Sequence, residues 1–404
     1  MPHIDCTPCR LVRPLAFSLA VGLGAALGCS ENTESPAGPE TGPALATSSA
    51  RALAFYQMSA GEDHTCGVTT DNRAYCWGRN SQGQLGDGTT TRRLTPVAVA
   101  GTLRFRQVSS SFSSTCGVTT DYQAYCWGTN DRGELGDGTT TLRLTPVPVA
   151  GGHRFRQVET SFEHACGVSY PDSRAYCWGW NSEGQLGDGT RTSHLTPVAV
   201  AGTLPFQQVS AGYYHTCGVT TDNRAFCWGL NFRGQVGDSS TAWRRVKPTW
   251  VAGMRQFRQV DAGRDYTCAV TTGYRAFCWG DGPSGQLGNG KPGPSRWPKP
   301  VSGGLSFERV TAGAFHTCGE TTLNRVYCWG ANGNGDLGDG TRIDRPTPVA
   351  VGGNLYFSQV SAGGLHTCGR TSSAVAYCWG RGFDGQLGNG SATSSSTPVP
   401  VAGG

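Results

Sequence analysis

The segment Cys-Trp-Gly recurs seven times along the chain, at intervals of 50 or 51 residues. Each copy follows a second cysteine, and a phenylalanine opens each unit further upstream. Self-similarity at a fixed period of about 20–50 residues indicates a repeat protein. Because the seven units fill residues 51–404 of the 404-residue chain, no room is left for another globular domain. The opening residues are Phe55, Phe105, Phe155, Phe206, Phe257, Phe307 and Phe357.

Four short segments, divided by turn-forming residues, make up each unit. In the first unit they cover residues 55–59, 64–69, 73–77 and 95–99. The last segment carries Pro96, which favours the edge of a sheet. None of the segments has a sustained 3.6-residue period, so helices are not expected. Four strands per unit, repeated seven times, predict an all-β, seven-bladed β-propeller of four-stranded antiparallel blades.

The composition excludes several classes of protein. The chain has 60 glycines without a three-residue period, which excludes collagen, and 17 cysteines with 10% aromatic residues, which argues against disorder. The formal net charge of +5 is too slight to imply a nucleic-acid partner. We find no phosphate-binding loop, paired metal-ligand motif or nucleophile–base pair owned by one unit. The sequence therefore predicts a monomer without cofactor, metal or catalytic residues.

Each unit carries the motifs Ala-Gly-x-x-His-Thr-Cys-Gly-Val, Ala-Tyr-Cys-Trp-Gly, Gly-Gln-Leu-Gly-Asp-Gly and Thr-Pro-Val, with small variations. These motifs resemble the regulator of chromosome condensation repeat over all of residues 51–404. The resemblance implies a seven-bladed propeller. It leaves the function open, because that family includes a nuclear exchange factor for a small GTPase, a plant light sensor and secreted bacterial inhibitors of β-lactamase.

The N-terminal segment has the pattern of an export signal. A charged start precedes an apolar run at residues 14–27, which is too short to span a bilayer as a helix. The run ends in Ala-Leu-Gly-Cys, which resembles a bacterial lipoprotein signal and predicts lipidation at Cys29, with an ordinary signal peptide cut nearby as the alternative. We predict a signal peptide over residues 1–29, a flexible tether rich in Pro, Ser and Glu over 30–50, and a location in the cell envelope or outside the cell.

The paired cysteines of each unit predict seven disulfides across hairpins. Cys66 and Cys76 flank the Asp71-Asn72 turn symmetrically, and opposed antiparallel strands bring Cα atoms within disulfide range. Export supplies an oxidising compartment. The alternative is buried free thiols that fill the core. The predicted pairs are Cys66–Cys76, Cys116–Cys126, Cys166–Cys177, Cys217–Cys227, Cys268–Cys278, Cys318–Cys328 and Cys368–Cys378.

Two further repeated positions carry structural predictions. The tryptophans of the Cys-Trp-Gly segments are predicted as core between blades, and Gly67 lies opposite Tyr75, where a small residue leaves a slot for Tyr75 and Trp77. Five units have a histidine two residues before the first cysteine, whereas the other two have Ser114 and Tyr266. Because these replacements keep a hydroxyl, we favour a polar group that bonds a loop backbone over a ring of metal ligands.

The most variable positions predict a partner-binding face. Consecutive strands are antiparallel, so the Ala-Gly-x-x-His loops and the long Gly-rich loops share one face. Exposed aromatic residues at the centre of such a face are typical interface anchors, although half of these rings could tuck under loops instead. The predicted anchors are Phe112, Phe162, Tyr213, Tyr214 and Phe315 from the first loops, with Trp180, Phe232 and Phe383 from the adjacent loops.

Residues 239–300 are locally basic. They contain ten Lys and Arg against three Asp, together with three tryptophans outside the repeat pattern. They predict a patch around blades four and five that suits an acidic partner. The patch residues assigned to partner binding are Trp243, Arg244, Arg245 and Trp297.

Together these observations predict a non-catalytic, extracytoplasmic module that binds an unidentified protein and touches the membrane only through its lipid anchor. An inhibitor of a secreted enzyme, such as a β-lactamase, is a second hypothesis. A nucleotide exchange regulator is a third, which export disfavours.

Overall fold

The computed structural model of the protein describes residues 53–403, which consist of strands and their connections. The predicted signal peptide, Cys29 and the tether at residues 30–50 lie outside the described residues. Seven antiparallel sheets follow one another along the chain, each built from four consecutive strands. This confirms the predicted seven-bladed propeller. Within residues 53–403 there is no helix long and apolar enough to cross a membrane.

Each blade runs from its innermost strand to its outermost strand in chain order. Blade one comprises β1 (Phe55–Ala60), β2 (His64–Thr69), β3 (Ala74–Gly78) and β4 (Arg93–Ala98); blade two β5 (Phe105–Ser110), β6 (Ser114–Thr119), β7 (Ala124–Gly128) and β8 (Arg143–Pro148); blade three β9 (Phe155–Thr160), β10 (His164–Ser169), β11 (Ala175–Gly179) and β12 (His194–Ala199). Blade four comprises β13 (Phe206–Ala211), β14 (His215–Thr220), β15 (Ala225–Leu230) and β16 (Arg244–Trp250); blade five β17 (Phe257–Ala262), β18 (Tyr266–Thr271), β19 (Ala276–Gly280) and β20 (Ser295–Pro300). Blade six comprises β21 (Phe307–Ala312), β22 (His316–Thr321), β23 (Val326–Gly330) and β24 (Arg345–Ala350); blade seven β25 (Phe357–Ala362), β26 (His366–Thr371), β27 (Ala376–Gly380) and β28 (Ser395–Pro400).

The strand order gives the propeller two distinct faces. The connections between the first and second strands and between the third and fourth strands of every blade lie on one side, which we call the loop face. The tight turns between the second and third strands and the links between blades lie on the other side, which we call the turn face. The seven innermost strands line an axial channel that joins the two faces.

The core is repeated between blades rather than shared by the whole molecule. Trp127 is completely buried, packs on Phe105 and donates from Nε1 to the carbonyl oxygen of Gln84 in the preceding blade at 3.0 Å. The same bond forms at all seven junctions, which confirms the predicted place of the tryptophans. Gly86 has a φ of +69°, and a Cβ there would lie 2.6 Å from the Trp127 Nε1 atom. The Gly-rich loop therefore needs glycine where it covers the next blade's tryptophan.

The cysteines pair as predicted in all seven blades. Cys66 faces Cys76 across the β2–β3 hairpin with Cα atoms 4.1 Å apart, and the longer turn of blade three still joins Cys166 to Cys177. The remaining five pairs have the same geometry. The register also places Gly67 opposite Tyr75, but the ring that fills the slot is that of Phe55 in the same blade. A Cβ on Gly67 would lie 2.6 Å from the Phe55 ring, so the prediction that the slot serves the Tyr75 and Trp77 rings was wrong.

Glutamine side chains join neighbouring inner strands into a ring. Gln57 donates from Nε2 to the Val108 carbonyl oxygen at 2.9 Å and accepts from the Val108 N–H at 3.0 Å. Six of the seven junctions carry this pair of bonds, and Arg309 stands in the glutamine's place at the junction of blades six and seven. Gln359 bonds Met58 and so connects blade seven to blade one. The ring therefore closes through side chains, while every blade takes its four strands from one repeat.

The repeated histidines bond a side chain of the next blade instead of the predicted loop backbone. His64 Nε2 lies 2.8 Å from Thr115 Oγ1, which donates its own hydrogen to the Gln84 carbonyl oxygen. Nε2 must therefore carry the proton that it donates to the hydroxyl. Burial lowers the pKa of His64 to about 3, so the ring stays neutral at physiological pH. In blade five, Tyr266 replaces the histidine and donates to the His316 carbonyl oxygen at 2.6 Å.

Candidate partner-binding face

Seven equivalent side-chain positions surround the mouth of the channel on the loop face. They are the first variable residues of the loops between the first two strands of each blade, and the loop backbones contact one another around the axis. Their side chains differ sharply in size and charge. The residues in blade order are Glu62, Phe112, Phe162, Tyr213, Arg264, Ala314 and Gly364.

Blades two to four place three aromatic rings side by side at this mouth. Phe112 meets Phe162 edge-on with ring centroids 5.0 Å apart, and Phe162 stacks on Tyr213 at 5.3 Å with the two planes only 11° from parallel. Phe112 is 38% exposed, whereas Phe162 and Tyr213 are half-buried. The structure thus brings three of the predicted anchors into contact with one another, and it leaves Phe162 and Tyr213 only partly exposed.

Tyr213 reaches across the channel from blade four to blade one. Its hydroxyl donates to the Glu62 carboxylate at 2.6 Å. Burial raises the pKa of Glu62, and this hydrogen bond partly opposes that rise because it favours the charged carboxylate. Burial, together with the neighbouring Glu62 charge, also raises the pKa of the Tyr213 hydroxyl. The pair spans the mouth of the channel, so the loops of opposite blades are held in one arrangement.

Arg264 connects the aromatic rings to the remaining side of the mouth. Its guanidinium lies 5.4 Å from the Tyr213 ring centroid and 5.1 Å from that of Phe315, distances at which a cation is attracted to an aromatic face. Tyr214 meets Phe162 edge-on at 5.9 Å. We call Phe112, Phe162, Tyr213, Tyr214, Phe315, Glu62 and Arg264 the mouth cluster.

The channel below the mouth cluster is polar. Its upper part encloses about 150 Å³, and hydroxyl side chains and the carboxylates of Glu62, Glu159 and Asp261 line it. Glu159 accepts from Ser109 Oγ at 2.8 Å, and Asp261 accepts from Ser210 Oγ at 2.8 Å. Enclosure raises the pKa of Glu159 to about 7 and that of Asp261 to about 6. Among residues 53–403, no group of three or more His, Cys, Asp or Glu side chains is arranged to hold a metal ion.

A second group of predicted residues lies at the rim of blades four and five. Phe232 packs on Trp243 with ring centroids 4.7 Å apart, and Trp243 is 57% exposed. Beside them, Trp297 lies in β20 with the Lys299 ammonium 4.5 Å from its ring, in a groove that Phe232 also lines. We call Phe232, Trp243, Trp297 and Lys299 the rim group.

The two arginines predicted with the rim group already have ionic partners. Arg245 contacts the buried Asp238 carboxylate at 2.6 Å, a contact that Arg93 and Asp87 repeat in blade one. Arg244 contacts Glu183 of blade three at 3.2 Å. These side chains therefore brace the loops of blade four and contribute less free charge than the sequence indicates.

The last two predicted anchors belong to neither group. Trp180 is half-buried under the Arg132 guanidinium, which lies 4.3 Å from its ring centroid and lines a groove with Phe112 and Phe162. Phe383 is 58% exposed on the loop of blade seven. Each adds a single aromatic side chain to the loop face, and Trp180 lies next to the mouth cluster.

The basic residues of the segment 239–300 do not form one patch. Arg264 lies in the mouth cluster on the loop face, Lys299 belongs to the rim group, and Arg255 and Arg275 lie in connections of the turn face. The charge of this segment is high when it is summed along the sequence, whereas alternate connections place its basic residues on opposite faces. The sequence prediction named only aromatic residues at the variable loop positions and so missed Glu62 and Arg264, which occupy equivalent positions.

Comparisons with known proteins agree with the geometry. Yeast RCC1 (Prp20), solved bound to Kap60, superposes with a TM-score of 0.73 at 18% identity, covering 87% of this chain and 86% of that one. Human WBSCR16 superposes with a TM-score of 0.71 at 20% identity, covering 77% and 85%. These likenesses show the fold.

The sequence comparisons show the family. The ultraviolet-B receptor UVR8 of Arabidopsis thaliana is 30% identical over 246 residues, which are 60% of this chain and 44% of the receptor. The chain thus spans less than half the length of that curated relative. The regulator of chromosome condensation (RCC1) repeat matches residues 324–369 and 375–404, and the RCC1-like domain matches residues 17–306. Since that domain alone covers more than half of the chain, the protein belongs to the RCC1-like propeller family.

Proposed function

We propose that the protein is an exported, non-catalytic interaction module that binds another protein through its loop face. The observation that carries the proposal is the mouth cluster, where Phe112, Phe162 and Tyr213 pack as one aromatic group at the centre of that face. Aromatic side chains held rigid by their neighbours lose little conformational entropy on binding, and they are common among residues that dominate interface energies.

The relatives support binding rather than chemistry. Yeast Prp20 was studied for its binding properties to Gsp1p and histones and was solved with Kap60. We carry over from these proteins only the use of a propeller for protein binding, because the identities of 18–19% support the fold alone.

The disulfides support the extracytoplasmic part of the proposal. The chain has seven disulfides. Disulfides persist in oxidising compartments and are rare in reducing ones. Export through residues 1–29 and lipidation at Cys29 belong to the same proposal. Mass spectrometry of the N-terminal peptide from the native host would distinguish a lipidated Cys29 from a simple cleavage.

The rim group is proposed as a second contact with the same partner. It lies on the outer part of the propeller, where Trp297 and Lys299 offer an aromatic and a cationic surface together. This combination suits a segment of the partner that carries acidic side chains. The carboxylates at the channel mouth would not suit such a segment.

A quantitative capture experiment tests the proposal. Immobilised residues 51–404 are exposed to envelope extract of the source cell, and bound proteins are compared between the unchanged domain and the F112A/F162A variant. Alanine is chosen because Ala314 occupies the equivalent position of blade six. We expect at least a tenfold loss of one specific protein in the variant. The matched control is Y122A/Y356A, which removes two aromatic rings from the turn face.

Two results would contradict the proposal. If the control pair lowers capture as much as F112A/F162A does, the loop face is not the binding surface. If no protein is retained specifically and the domain instead turns over a substrate, the module is not a non-catalytic binder. Inhibition of a captured hydrolase, such as a β-lactamase, would identify the partner class as a secreted enzyme.

A further inference from the structure

The charged residues in the connections divide strongly between the two faces. In the connections of the loop face, nine Lys and Arg stand against sixteen Asp and Glu, a net charge of −7. Four of these acids pair with arginines of the outermost strands, which reduces the net charge to −3; the pairs are Asp87–Arg93, Asp137–Arg143, Asp238–Arg245 and Asp339–Arg345. In the connections of the turn face, eight Arg stand against four Asp, a net charge of +4. The eight arginines are Arg73, Arg104, Arg154, Arg174, Arg224, Arg255, Arg275 and Arg325. The propeller therefore has an electrostatic polarity along its axis.

More arginines surround the channel where it opens on the turn face. Arg106, Arg156, Arg258 and Arg309 lie near the start of the innermost strands, and Glu308 is the one acid at the corresponding positions in the described residues. Arg258 pairs with Glu308 at 2.6 Å and Arg309 lies opposite Glu320 in the β21–β22 ladder, which leaves Arg106 and Arg156 to add to the positive potential. The positive charge is thus spread over the turn-face side of blades one to six rather than gathered in a cleft.

Apolar and aromatic tips project from the same face. Met254 is 85% exposed and Leu323 is 76% exposed, and both lie in turn-face connections. Tyr122 and Tyr170 stack with ring centroids 4.2 Å apart, and the Arg106 guanidinium lies 4.6 Å from the Tyr122 ring. Aromatic rings and short apolar tips beside cations are the side chains that settle at a bilayer interface.

The chain also enters the propeller on this face. The Leu53 N–H donates to the Gly403 carbonyl oxygen, just before the first innermost strand begins at Phe55 on the turn-face side. The predicted lipid anchor at Cys29 is 24 residues upstream. With the tether as predicted from its composition, a segment of that length would have a mean end-to-end distance of about 25–30 Å. An anchor at Cys29 would therefore hold the turn face closer to the bilayer than the loop face.

We propose that the turn face docks on a bilayer surface that carries anionic lipid, so that the loop face points away from the membrane and remains open to its protein partner. The anchoring argument rests on the proposed export of the protein, but the charge distribution does not. A ring of separated cations and projecting tips fits a planar anionic surface better than it fits a narrow acidic peptide. Near such a surface, each cation contributes roughly a fivefold gain in affinity, and salt screens this contribution.

Vesicle co-sedimentation of residues 51–404, without the lipid anchor, tests the inference. This part can be used alone because its blades bury their cores against one another in a closed ring. We expect the domain to bind phosphatidylcholine vesicles that contain phosphatidylglycerol, to ignore pure phosphatidylcholine, and to dissociate as salt rises. The R73Q/R104Q/R275Q variant should bind about 100-fold more weakly. These three guanidiniums are exposed and form no hydrogen bond or ion pair in the described residues, so the variant should fold.

The control is R92Q/R191Q/R342Q, which removes the same charge from exposed positions of the loop face, together with the hydrogen bonds that Arg92 and Arg191 donate to the Phe383 and Ser182 carbonyl oxygens. The inference is overturned if the two triple variants lose binding equally, or if both vesicle types bind equally. It is also overturned if the domain binds double-stranded DNA or an acidic protein through these arginines but ignores anionic vesicles. F112A/F162A should bind vesicles normally, so a failure here and a failure of the proposed partner binding are separate results.

Discussion

The hydroxyl of Tyr213 in blade four donates to the carboxylate of Glu62 in blade one at 2.6 Å, although 151 residues separate them in sequence. This contact crosses the channel mouth and draws the first and middle repeats of the ring together. It lies among the residues that we propose to bind a partner, so the proposed binding face also contains a long-range contact that joins blades one and four.

We expect Tyr213→Phe to lower the free energy of unfolding by about 1.5–3 kcal/mol, the usual range for a hydrogen bond to a charged group. The substitution leaves the ring stack with Phe162 in place but leaves the Glu62 carboxylate without its donor. Urea denaturation followed by tryptophan fluorescence measures the change. Tyr214→Phe is the control, because no hydrogen bond of the Tyr214 hydroxyl is formed in the described residues. Equal losses in the two variants would show that the bond to Glu62 contributes nothing specific.

The sequence predicted most of the architecture because the same strand, turn and cysteine pattern recurs in all seven units. The cysteine spacing gave the hairpin register, and the register placed Gly67 opposite Tyr75 as observed. Apart from the tryptophans, which were predicted to lie between blades, the contacts between blades were not predicted, because they join equivalent positions of neighbouring repeats instead of residues within one repeat. The glutamines equivalent to Gln57 recur in six units and could have indicated such a ring. The contact between Glu62 and Tyr213 has no such periodicity, since both positions vary from blade to blade.

The buried histidines should make the propeller sensitive to acid. Burial lowers the pKa of His215 to about 3 in the folded protein, whereas the unfolded chain has a value near 6.5. As pH falls below about 6.5, the unfolded state binds the proton first, so this residue's contribution to stability is lost progressively down to about pH 3. Relative to the unchanged protein, His215→Gln should gain about 1.4 kcal/mol per pH unit across that window.

Denaturation midpoints measured between pH 7 and pH 4 would show this difference in slope. Tyr266→Phe serves as the control, because burial raises the pKa of the Tyr266 hydroxyl and it does not titrate in this range. Its effect on stability should therefore be independent of pH. Parallel curves for the unchanged protein and His215→Gln would contradict a depressed histidine pKa.

The disulfides should each stabilise the fold by restricting the unfolded chain. Closing a loop of about 11 residues contributes roughly 2–3 kcal/mol in the chain-entropy model. We expect C66A/C76A to lower the free energy of unfolding by at least this amount, since both side chains are completely buried and their removal also leaves space in the core. Thiol titration of the unfolded, non-reduced domain should detect none of the fourteen repeat cysteines. About fourteen reactive thiols would contradict the bonded state.

Glu134 is expected to destabilise the protein at neutral pH and above. Glu134 is the residue of blade two that is equivalent to Gln84 of blade one. It accepts a hydrogen bond from the Arg132 N–H at 2.8 Å, as Gln84 does from the Gln82 N–H. Burial raises the pKa of Glu134 to about 7. Because the folded pKa lies above the unfolded value, stability is greatest below about pH 4.5 and is lost as pH rises through 7.

Glu134→Gln keeps the acceptor and removes the charge, so it should raise the free energy of unfolding by about 1–3 kcal/mol at pH 8 and by little at pH 4. Thermal or urea denaturation at the two pH values measures the gain. The reverse change in the equivalent position, Gln84→Glu, is the matched control and should destabilise the protein at pH 8 by a similar amount. A gain for Glu134→Gln that is the same at pH 4 and pH 8 would show that packing, rather than the buried charge, limits stability at this junction.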